Sequence, residues 1–201
     1  MRKIRLSLVL VGILGASNAM ADTDGVFLGV QAGYGAADTR FENQTYSQSL
    51  HFTDFRYGLL AGYKQLFGHN YGTRYYVLAD LGTDYKKGDA KMSSYNVSAN
   101  IDGLYNFNPK DGLGFGAFIG WSLGYANHTF KALNIDDIKV SGFDFAFNFG
   151  LGVNIAFNHA IELYSRFSLL NQKKDFAEAN QKYSSKVHQP YQVGLRYTFS
   201  F

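Results

Sequence analysis

Residues 140–157 read VSGFDFAFNFGLGVNIAF, and their side chains alternate between two chemical types with a period of two residues. Large apolar side chains occupy every second position from Phe143 to Phe157. The positions between them carry nothing larger than asparagine. Because successive side chains of a strand point to opposite faces, this stretch predicts a strand with one apolar face and one small, polar face.

The same alternation recurs along the chain. We predict eight strands, within residues 26–34, 55–63, 75–85, 95–107, 113–125, 140–157, 161–169 and 191–201. The connections alternate between a set that is shorter on average (66–72, 108–112 and 158–160) and a set that is longer on average (37–51, 86–91, 127–139 and 171–189). Short turns at one end and longer loops at the other are typical of outer-membrane barrels. The predicted fold is an all-β, eight-stranded antiparallel transmembrane β-barrel with short periplasmic turns and longer extracellular loops.

Volume decides which face of the strands lies inside. A soluble lipocalin-like barrel would turn the aromatic face inward, but an eight-stranded barrel has an interior just wide enough for side chains to fill it. With 18 Phe and 15 Tyr in the chain, the apolar face is too bulky for that interior. We therefore expect the small, polar face to line the lumen and the apolar face to meet lipid, with Trp121 and tyrosines near the strand ends at the membrane interfaces.

The N-terminus carries the pattern of an export signal. Arg2, Lys3 and Arg5 precede an apolar run at residues 6–14, and the small side chains of Ala19 and Ala21 follow at the spacing of a signal-peptidase site. We predict cleavage after Ala21, which leaves residues 22–201 as the barrel. Cleavage removes three of 19 basic residues and none of 16 acidic ones, so the mature chain is formally neutral and no nucleic-acid partner is expected.

Charged side chains on the predicted inner face are the candidate functional residues. They comprise four arginines and five acids: Arg56, Arg74, Asp80, Asp84, Asp102, Asp144, Glu162, Arg166 and Arg196. A lone ion in a narrow lumen is costly, so we expect these groups to pair. We expect in particular a cluster of Glu162, Arg166 and Arg196. The paired charges would form a plug that closes the lumen, and the alternative is a selectivity lining of a narrow pore.

The sequence gives little support for catalysis. The chain has no cysteine, so thiolate metal sites and cysteine nucleophiles are excluded. One class of small barrel enzymes, which modifies lipid A, uses a His-x-Ser pair, and no histidine here has Ser two residues on. We interpret the histidines as solvated residues of loops and turns, and we expect no cofactor or metal: His51, His69, His128, His159 and His188.

Three segments resemble a known family. They are GVFLGVQAGYG at 25–35, AGYKQLFG at 61–68 with TRYY at 73–76, and VGLRYTFSF at 193–201, and together they resemble the Helicobacter outer membrane protein family. The resemblance implies a barrel in the outer membrane. Larger relatives include adhesins with an extracellular domain after the first strand, which the short interval 37–51 does not contain, so their ligand binding is not carried over.

The last strand ends in Tyr197, Phe199 and Phe201, a pattern that resembles the assembly signal read by the outer-membrane insertion machinery. The alternative interpretation is that Phe201 is only a member of the periplasmic aromatic girdle and not part of a signal. Loop lysines are candidates for contact with lipopolysaccharide phosphates, or are simply solvated: Lys86, Lys87, Lys91, Lys173, Lys174, Lys182 and Lys186. We expect a non-enzymatic barrel with a structural or surface-interaction role, bound to lipid and lipopolysaccharide and with an unknown surface ligand. The alternatives are a narrow porin-like channel and then a lipid A-modifying enzyme.

Overall fold

In the computed structural model the described part of the chain consists of nine strands. The structure describes residues 24–42, 47–67, 70–87, 90–107, 113–132, 135–155, 158–178 and 181–201. The predicted signal segment, with Ala19 and Ala21, lies outside them. The strands are β1 (Gly25–Glu42), β2 (Ser47–Leu66), β3 (Tyr71–Lys87), β4 (Ala90–Asn106), β5 (Leu113–Ala132), β6 (Ile135–Ile155), β7 (His159–Ser168), β8 (Gln172–Glu178) and β9 (Gln181–Ser200).

The sheet is antiparallel and closes on itself. Strands β1 to β7 pair in chain order, β7 pairs with β9, and β9 pairs with β1 from Phe27↔Ser200 onward. Strand β8 follows β7 in the same position of the wall and pairs with the first part of β9. The barrel therefore has eight wall positions, and the prediction of an eight-stranded closed antiparallel barrel is confirmed.

The strands are longer than the alternation predicted. Most of the intervals expected as loops continue as strand, because β1 reaches Glu42, β2 begins at Ser47, and β8 and β9 occupy most of 171–189. Those intervals have polar residues on both faces, so their sequence does not alternate with a period of two residues. The backbone hydrogen bonds of the sheet nevertheless continue through them. We call this end of the barrel the outer end, and the end that holds Gly25 and Phe201 the inner end.

The apolar face points outward, as predicted. Leu59, Leu123 and Phe143 are 67%, 59% and 69% exposed on the barrel surface. The aromatic side chains expected at the interfaces also lie outward: Tyr63, Tyr75, Tyr105, Trp121, Tyr125 and Tyr191. An apolar surface of this size is unfavourable in water, and contact with lipid removes it from water. The described residues contain no helix long and apolar enough to cross a membrane.

The barrel extends beyond the apolar band at its outer end. Outward positions on β4, β5 and β6 are apolar up to Tyr95, Tyr125 and Phe143. Past them they become polar, and none is a large apolar residue in the part whose side chains are described: Ser93, Asn127, Thr129, Lys139 and Ser141. Inward side chains at this level lie outside the membrane-spanning part of the barrel.

Candidate functional site

The predicted lumen residues are buried inside the barrel. Eight of the nine charged residues have exposed fractions between 0% and 9%: Arg56, Arg74, Asp80, Asp102, Asp144, Glu162, Arg166 and Arg196. The ninth, Asp84, has a side chain outside the described ones, and a register irregularity in the β3–β4 ladder falls at its position. Inward parity was therefore predicted correctly wherever the structure describes it.

Four of these residues form the lower cluster: Arg74, Asp102, Glu162 and Arg196. Nε of Arg74 donates to Oδ2 of Asp102 at 2.8 Å, and its Nη1 donates to Oε1 of Glu162 at 2.5 Å. Nη1 of Arg196 lies 3.5 Å from Oε2 of Glu162 and 3.9 Å from Oδ2 of Asp102. The two arginines and two acids thus alternate in charge, and each charge has an opposite neighbour, as burial requires.

Three aromatic rings enclose the two guanidinium groups of the lower cluster. Cζ of Arg74 lies 4.5 Å from the ring centroid of Phe118, and Cζ of Arg196 lies 5.2 Å and 5.0 Å from those of Tyr76 and Tyr164. A cation over a ring face is attracted by the ring quadrupole, most strongly where water is excluded. The rings therefore fill the lumen and stabilise its positive charges together.

Glycines on the inner face make room for these rings. A Cβ added to Gly150 would lie 2.5 Å from Cε1 of Phe118, and one added to Gly62 would lie 2.5 Å from Cβ of Tyr76. Such distances are far inside van der Waals contact, so no larger residue fits without movement. The alternation of glycine with large outward side chains thus has a packing cause in the lumen.

The Arg56 cluster lies nearer the outer end and consists of Asp54, Arg56, Asp80 and Ser94. Arg56 contacts Oδ2 of Asp80 at 2.7 Å and Oδ2 of Asp54 at 3.2 Å, and its Nη1 donates to Oγ of Ser94 at 2.9 Å. Asp54 was not predicted, because the second strand was expected to begin at Phe55. Its spacing of two residues from Arg56 was the signal that places it on the inner face.

The Arg166 cluster consists of Ser122, Asp144, Arg166 and Ser168. Nη2 of Arg166 donates to Oδ2 of Asp144 at 2.5 Å, and its Nη1 donates to Oγ of Ser122 at 2.8 Å. The hydroxyl of Ser168 donates to the other oxygen of Asp144. The predicted grouping of Glu162, Arg166 and Arg196 is therefore wrong for Arg166, since that side chain points to β5 and β6 near the outer end.

Gln31 links the lower cluster to the Arg56 cluster. Its Oε1 accepts from Nη2 of Arg196 at 3.2 Å, and its Nε2 donates to Oδ1 of Asp80 at 3.4 Å. Hydrogen bonds between side-chain amides join other strands at the same levels. For example, Nδ2 of Asn148 donates to Oδ1 of Asn100 at 3.2 Å. The polar lumen is thus a connected network along much of the barrel axis.

His128 contradicts the expectation of solvated loop histidines. It lies on β5, points inward and is 1% exposed, and neither ring nitrogen has a hydrogen-bond partner in the structure. Burial lowers the pKa of His128 from 6.5 to about 4; nearby Arg56 also lowers it, while Asp144 opposes the shift. His159 and His188 are half-buried, and the side chain of His51 and the whole of His69 lie outside the described residues.

The two lumen cavities that the described residues line are small. A cavity of about 40 Å³ lies at the inner end beside Lys64, Arg74 and Glu162. A second, of about 10 Å³, lies at the outer end beside Arg56, Arg166 and Gln189. The residues between them are those of the ion-pair clusters. Among the described side chains no three His, Cys, Asp or Glu residues are grouped as in a metal site.

The residues of the predicted assembly signal form an aromatic ladder at the inner end. Tyr197 and Phe201 are exposed on the barrel surface, and Phe199 is half-buried between them. The rings of Phe199 and Phe201 lie 5.1 Å apart in an edge-to-face arrangement. Oη of Tyr197 is 2.7 Å from Nδ1 of His159 on β7. This geometry fits a girdle, and it leaves the residues accessible from outside the barrel.

A family model described as Helicobacter outer membrane protein matches residues 58–201, which include seven of the nine strands in full. The chain belongs to the Helicobacter outer membrane protein family. The predicted family and the outer-membrane location are therefore confirmed. In such barrels the chain ends and short turns lie on the periplasmic side, so the inner end faces the periplasm and the outer end faces the cell exterior.

Solved structures of outer-membrane barrels share the fold. The outer membrane protein OprG from Pseudomonas aeruginosa is 14% identical over 92% of this chain and 100% of that chain, with a TM-score of 0.53. A major outer membrane protein from Thermus thermophilus is 13% identical over 88% and 99%, with a TM-score of 0.51. Ail of Yersinia pestis is 14% identical over 88% and 100%, with a TM-score of 0.43. No curated protein is similar enough to count as a match.

Proposed function

We propose that this family member is a non-enzymatic barrel with a lumen closed to ions, which presents its four outer hairpins at the cell surface. The observation that carries the proposal is the ion-pair filling of the lumen, in which Arg74 reaches from β3 to Glu162 on β7. These strands stand four wall positions apart, so the contact spans the lumen. We expect an eight-stranded barrel filled in this way to have no continuous water path.

The hydroxyl contacts of Ser168 support the non-enzymatic part of the proposal. The hydroxyl of Ser168 donates to Asp144, and Nε2 of His188 contacts the Ser168 carbonyl at 3.3 Å rather than the hydroxyl. A serine nucleophile needs a base within hydrogen-bond reach of its oxygen. The arrangement supports a structural role for this serine. Comparison of lipid A mass spectra from cells with and without the protein tests the point, and a mass change that depends on the protein would overturn it.

Planar bilayer recording tests whether the lumen is closed. We expect the purified protein to give no discrete conductance steps. As a positive control, Arg74→Ser combined with Arg166→Ser removes one large cation from each end of the network and should produce steps. Discrete steps in the unmodified protein that change with Arg166→Ala would overturn the proposal and favour the narrow channel, for which the two end cavities are the supporting observation.

Exchange of the outer hairpins tests the surface role. Replacement of residues 39–50 by a short turn leaves the lumen clusters in place, because all their members lie closer to the membrane. We expect such variants to keep heat-modifiable gel mobility, the mark of a folded barrel, and to lose capture of cell-surface glycans or host matrix proteins from a panel. The surface role would be overturned if the parent and the variants, with each of the four hairpins replaced in turn, bound every member of the panel equally well. The insertion machinery and lipopolysaccharide remain the other proposed partners.

A further inference from the structure

The barrel wall has a seam near its outer end, between β6 and β8. The β6–β7 ladder ends at Ala146↔Ser168, after which Leu169 N donates to Phe145 O at 2.8 Å. Beyond that point β8 pairs with β9, and no ladder joins β8 to β6 among the described residues. Between β7 and β8, residues 169–171 have no regular structure. Every other neighbouring pair of wall positions is joined by a ladder along at least part of its length, and the β2–β3 ladder also stops before the outer end, at Arg56↔Gly82.

A side chain takes the place of the next backbone hydrogen bond across the seam. In a regular antiparallel ladder the carbonyl of Phe143 would accept from a backbone N–H two residues beyond Leu169. Here it accepts from Nε2 of Gln172 at 3.4 Å. The Gln172 side chain is 3% exposed and its Oε1 has no hydrogen-bond partner. A long side-chain hydrogen bond therefore stands at the seam in the place of a backbone ladder bond.

A second break in the pairing lies on the opposite side of β7 and β8, where they face β9. Pro190 on β9 accounts for this break. Proline has no backbone N–H to donate to a ladder. The β7–β9 ladder ends at Arg166↔Gln192, and the β8–β9 ladder begins at Gln172↔Val187. The β1–β9 ladder shifts register at the same level. Among the described ladders, those on both sides of β7 and β8 are thus interrupted at this level.

Apolar side chains flank the seam on both sides, and buried His128 and Gln172 lie at the same level inside, opposite Val140 and Val187 in the ladders. Outside, Phe143, Leu169 and Leu170 are 69%, 56% and 41% exposed, at the outer edge of the lipid-facing band. Inside, above the charged clusters, several inward side chains are apolar and buried: Ala37, Met92, Val140 and Val187. Below them the Arg166 cluster closes the lumen. A route through the seam is therefore a side pocket, which opens to the outer leaflet and ends on the ion pairs.

We propose that the seam opens laterally and admits the acyl chain of an outer-leaflet lipid into this apolar layer. A fully polar ligand would have to cross the apolar flank at Phe143 and would then lie against Val140 and Val187, so an apolar chain is the chemistry that fits. Opening requires loss of the Gln172–Phe143 contact and leaves the remaining ladders intact. The barrel would hold a lipid at the cell surface while its lumen stays closed.

A disulfide can lock the seam. A Cβ built on Gly142 lies 3.6 Å from Cβ of Gln172, within the range of about 3.5–4.5 Å that disulfides need. The chain has no cysteine, so Gly142→Cys with Gln172→Cys gives one defined bond between β6 and β8. Reduction restores a seam that can open, in the same protein preparation. Each single cysteine variant, treated with the same oxidant, controls for oxidation itself.

The probe is a diazirine-labelled palmitic acid in phospholipid vesicles that contain the folded protein, and mass spectrometry locates the adducts. Adducts on outward Phe143 and Leu169 report ordinary lipid contact and should not change. We expect adducts on inward Met92, Val140 or Val187 in the parent and in the reduced double variant, with at least a tenfold loss in the oxidised one. Gln172→Ala should increase the inward adducts severalfold.

The experiment can overturn the proposal in two ways. Inward adducts that are absent from the parent and from Gln172→Ala would show that no acyl chain enters. Inward adducts that are equal before and after oxidation would show that the chain enters elsewhere, for example from the open outer end. Heat-modifiable gel mobility of every variant confirms that the comparison is made between folded barrels.

Discussion

Oε1 of Glu162 accepts a hydrogen bond of 2.5 Å from Nη1 of Arg74, across the lumen and 88 residues away in sequence. Its other carboxylate oxygen faces Arg196, which is directly opposite Glu162 in the β7–β9 ladder. The carboxylate of Glu162 thus contacts both Arg196, on the adjacent strand, and Arg74, on the opposite side of the barrel. This contact ties together strands that share no ladder, so it opposes deformation of the barrel cross-section.

Glu162→Gln should destabilise the barrel strongly. The substitution preserves shape but removes the negative charge between two buried arginines, and loss of one partner of a buried pair costs about 3–5 kcal/mol. We expect a fall of this size in the free energy of unfolding, measured by urea denaturation in lipid vesicles. An unchanged value would show that the lower cluster does not stabilise the fold.

A double-mutant cycle separates the pair from its surroundings. Glu162→Gln and Arg196→Gln are made singly and together, and the coupling energy is the departure from additivity. We expect a smaller penalty for the double variant than for the two single changes combined, because both charges leave together. The same cycle on Glu162 and Arg166 should show near additivity, since these side chains belong to different clusters.

The fold was predictable because its main signal is local. Alternation around Phe143–Phe157 fixes which side chains share a face, and an interior too narrow for the whole apolar face fixes which face lies inside. These two arguments place Arg56, Arg74 and Glu162 in the lumen without any knowledge of their partners. The ends of the strands were less predictable, because the sequence beyond the lipid band mixes polar and apolar residues and no longer alternates regularly.

The partners within the lumen were not predictable from that pattern. Glu162 and Arg196 face each other in a ladder, and their pairing could be anticipated. Arg166 shares their parity, yet it pairs with Asp144, because barrel stagger sets the height of each side chain along the axis. His128 was missed for a related reason, since the loss of alternation predicts a loop at 127–139 whereas the β5–β6 ladder continues through most of that interval.

Acid should destabilise the barrel through His128. Its folded-state pKa of about 4 lies below the ordinary 6.5, so between these values the unfolded chain binds the proton more readily. The stability contributed by the neutral ring is complete above pH 6.5 and is lost as the pH falls toward 4. The difference corresponds to about 3 kcal/mol. His128→Asn should reduce the slope of unfolding free energy against pH in this window, as measured by urea titration at several pH values.

His159→Asn is the matched control for the acid effect, because it removes a half-buried histidine at the inner end and leaves His128 in place. An equal change of slope in both variants would show that the effect is not specific to the buried ring. An unchanged slope in His128→Asn alone would show that His128 does not contribute to it.

Gly150→Ala should destabilise the lumen by overpacking. The added methyl group would lie 2.3 Å from the carbonyl oxygen of Leu163 and 2.5 Å from Phe118, and overpacking of this kind typically costs about 1–3 kcal/mol. Gly103→Ala is the control, since its added Cβ meets only Ile119 O, at 3.8 Å. We expect urea unfolding to shift for Gly150→Ala alone. Equal shifts would mean that loss of glycine, rather than lumen volume, sets the cost.

Phe201→Ala should separate the assembly signal from the aromatic girdle. The side chain is 50% exposed, while the backbone N–H of Phe201 donates to Val26 O, a bond that the substitution leaves in place. Loss of a girdle ring should lower stability by roughly 1–3 kcal/mol while insertion proceeds. Loss of a signal should lower the amount of protein in the outer membrane severalfold, although the purified variant still refolds in detergent micelles. The two measurements are outer-membrane yield in cells and refolding yield in micelles.

Phe107→Ala is the matched control for the assembly signal. This residue is an aromatic side chain at the same end of the barrel, 57% exposed, but it follows β4 rather than lying at the end of the last strand. If the ring at position 201 is read as a signal, yield in cells falls for Phe201→Ala and not for Phe107→Ala, with equal refolding in micelles. Equal yields in cells for both variants would remove the signal and leave Phe201 as a member of the girdle, together with Tyr197 and Phe199.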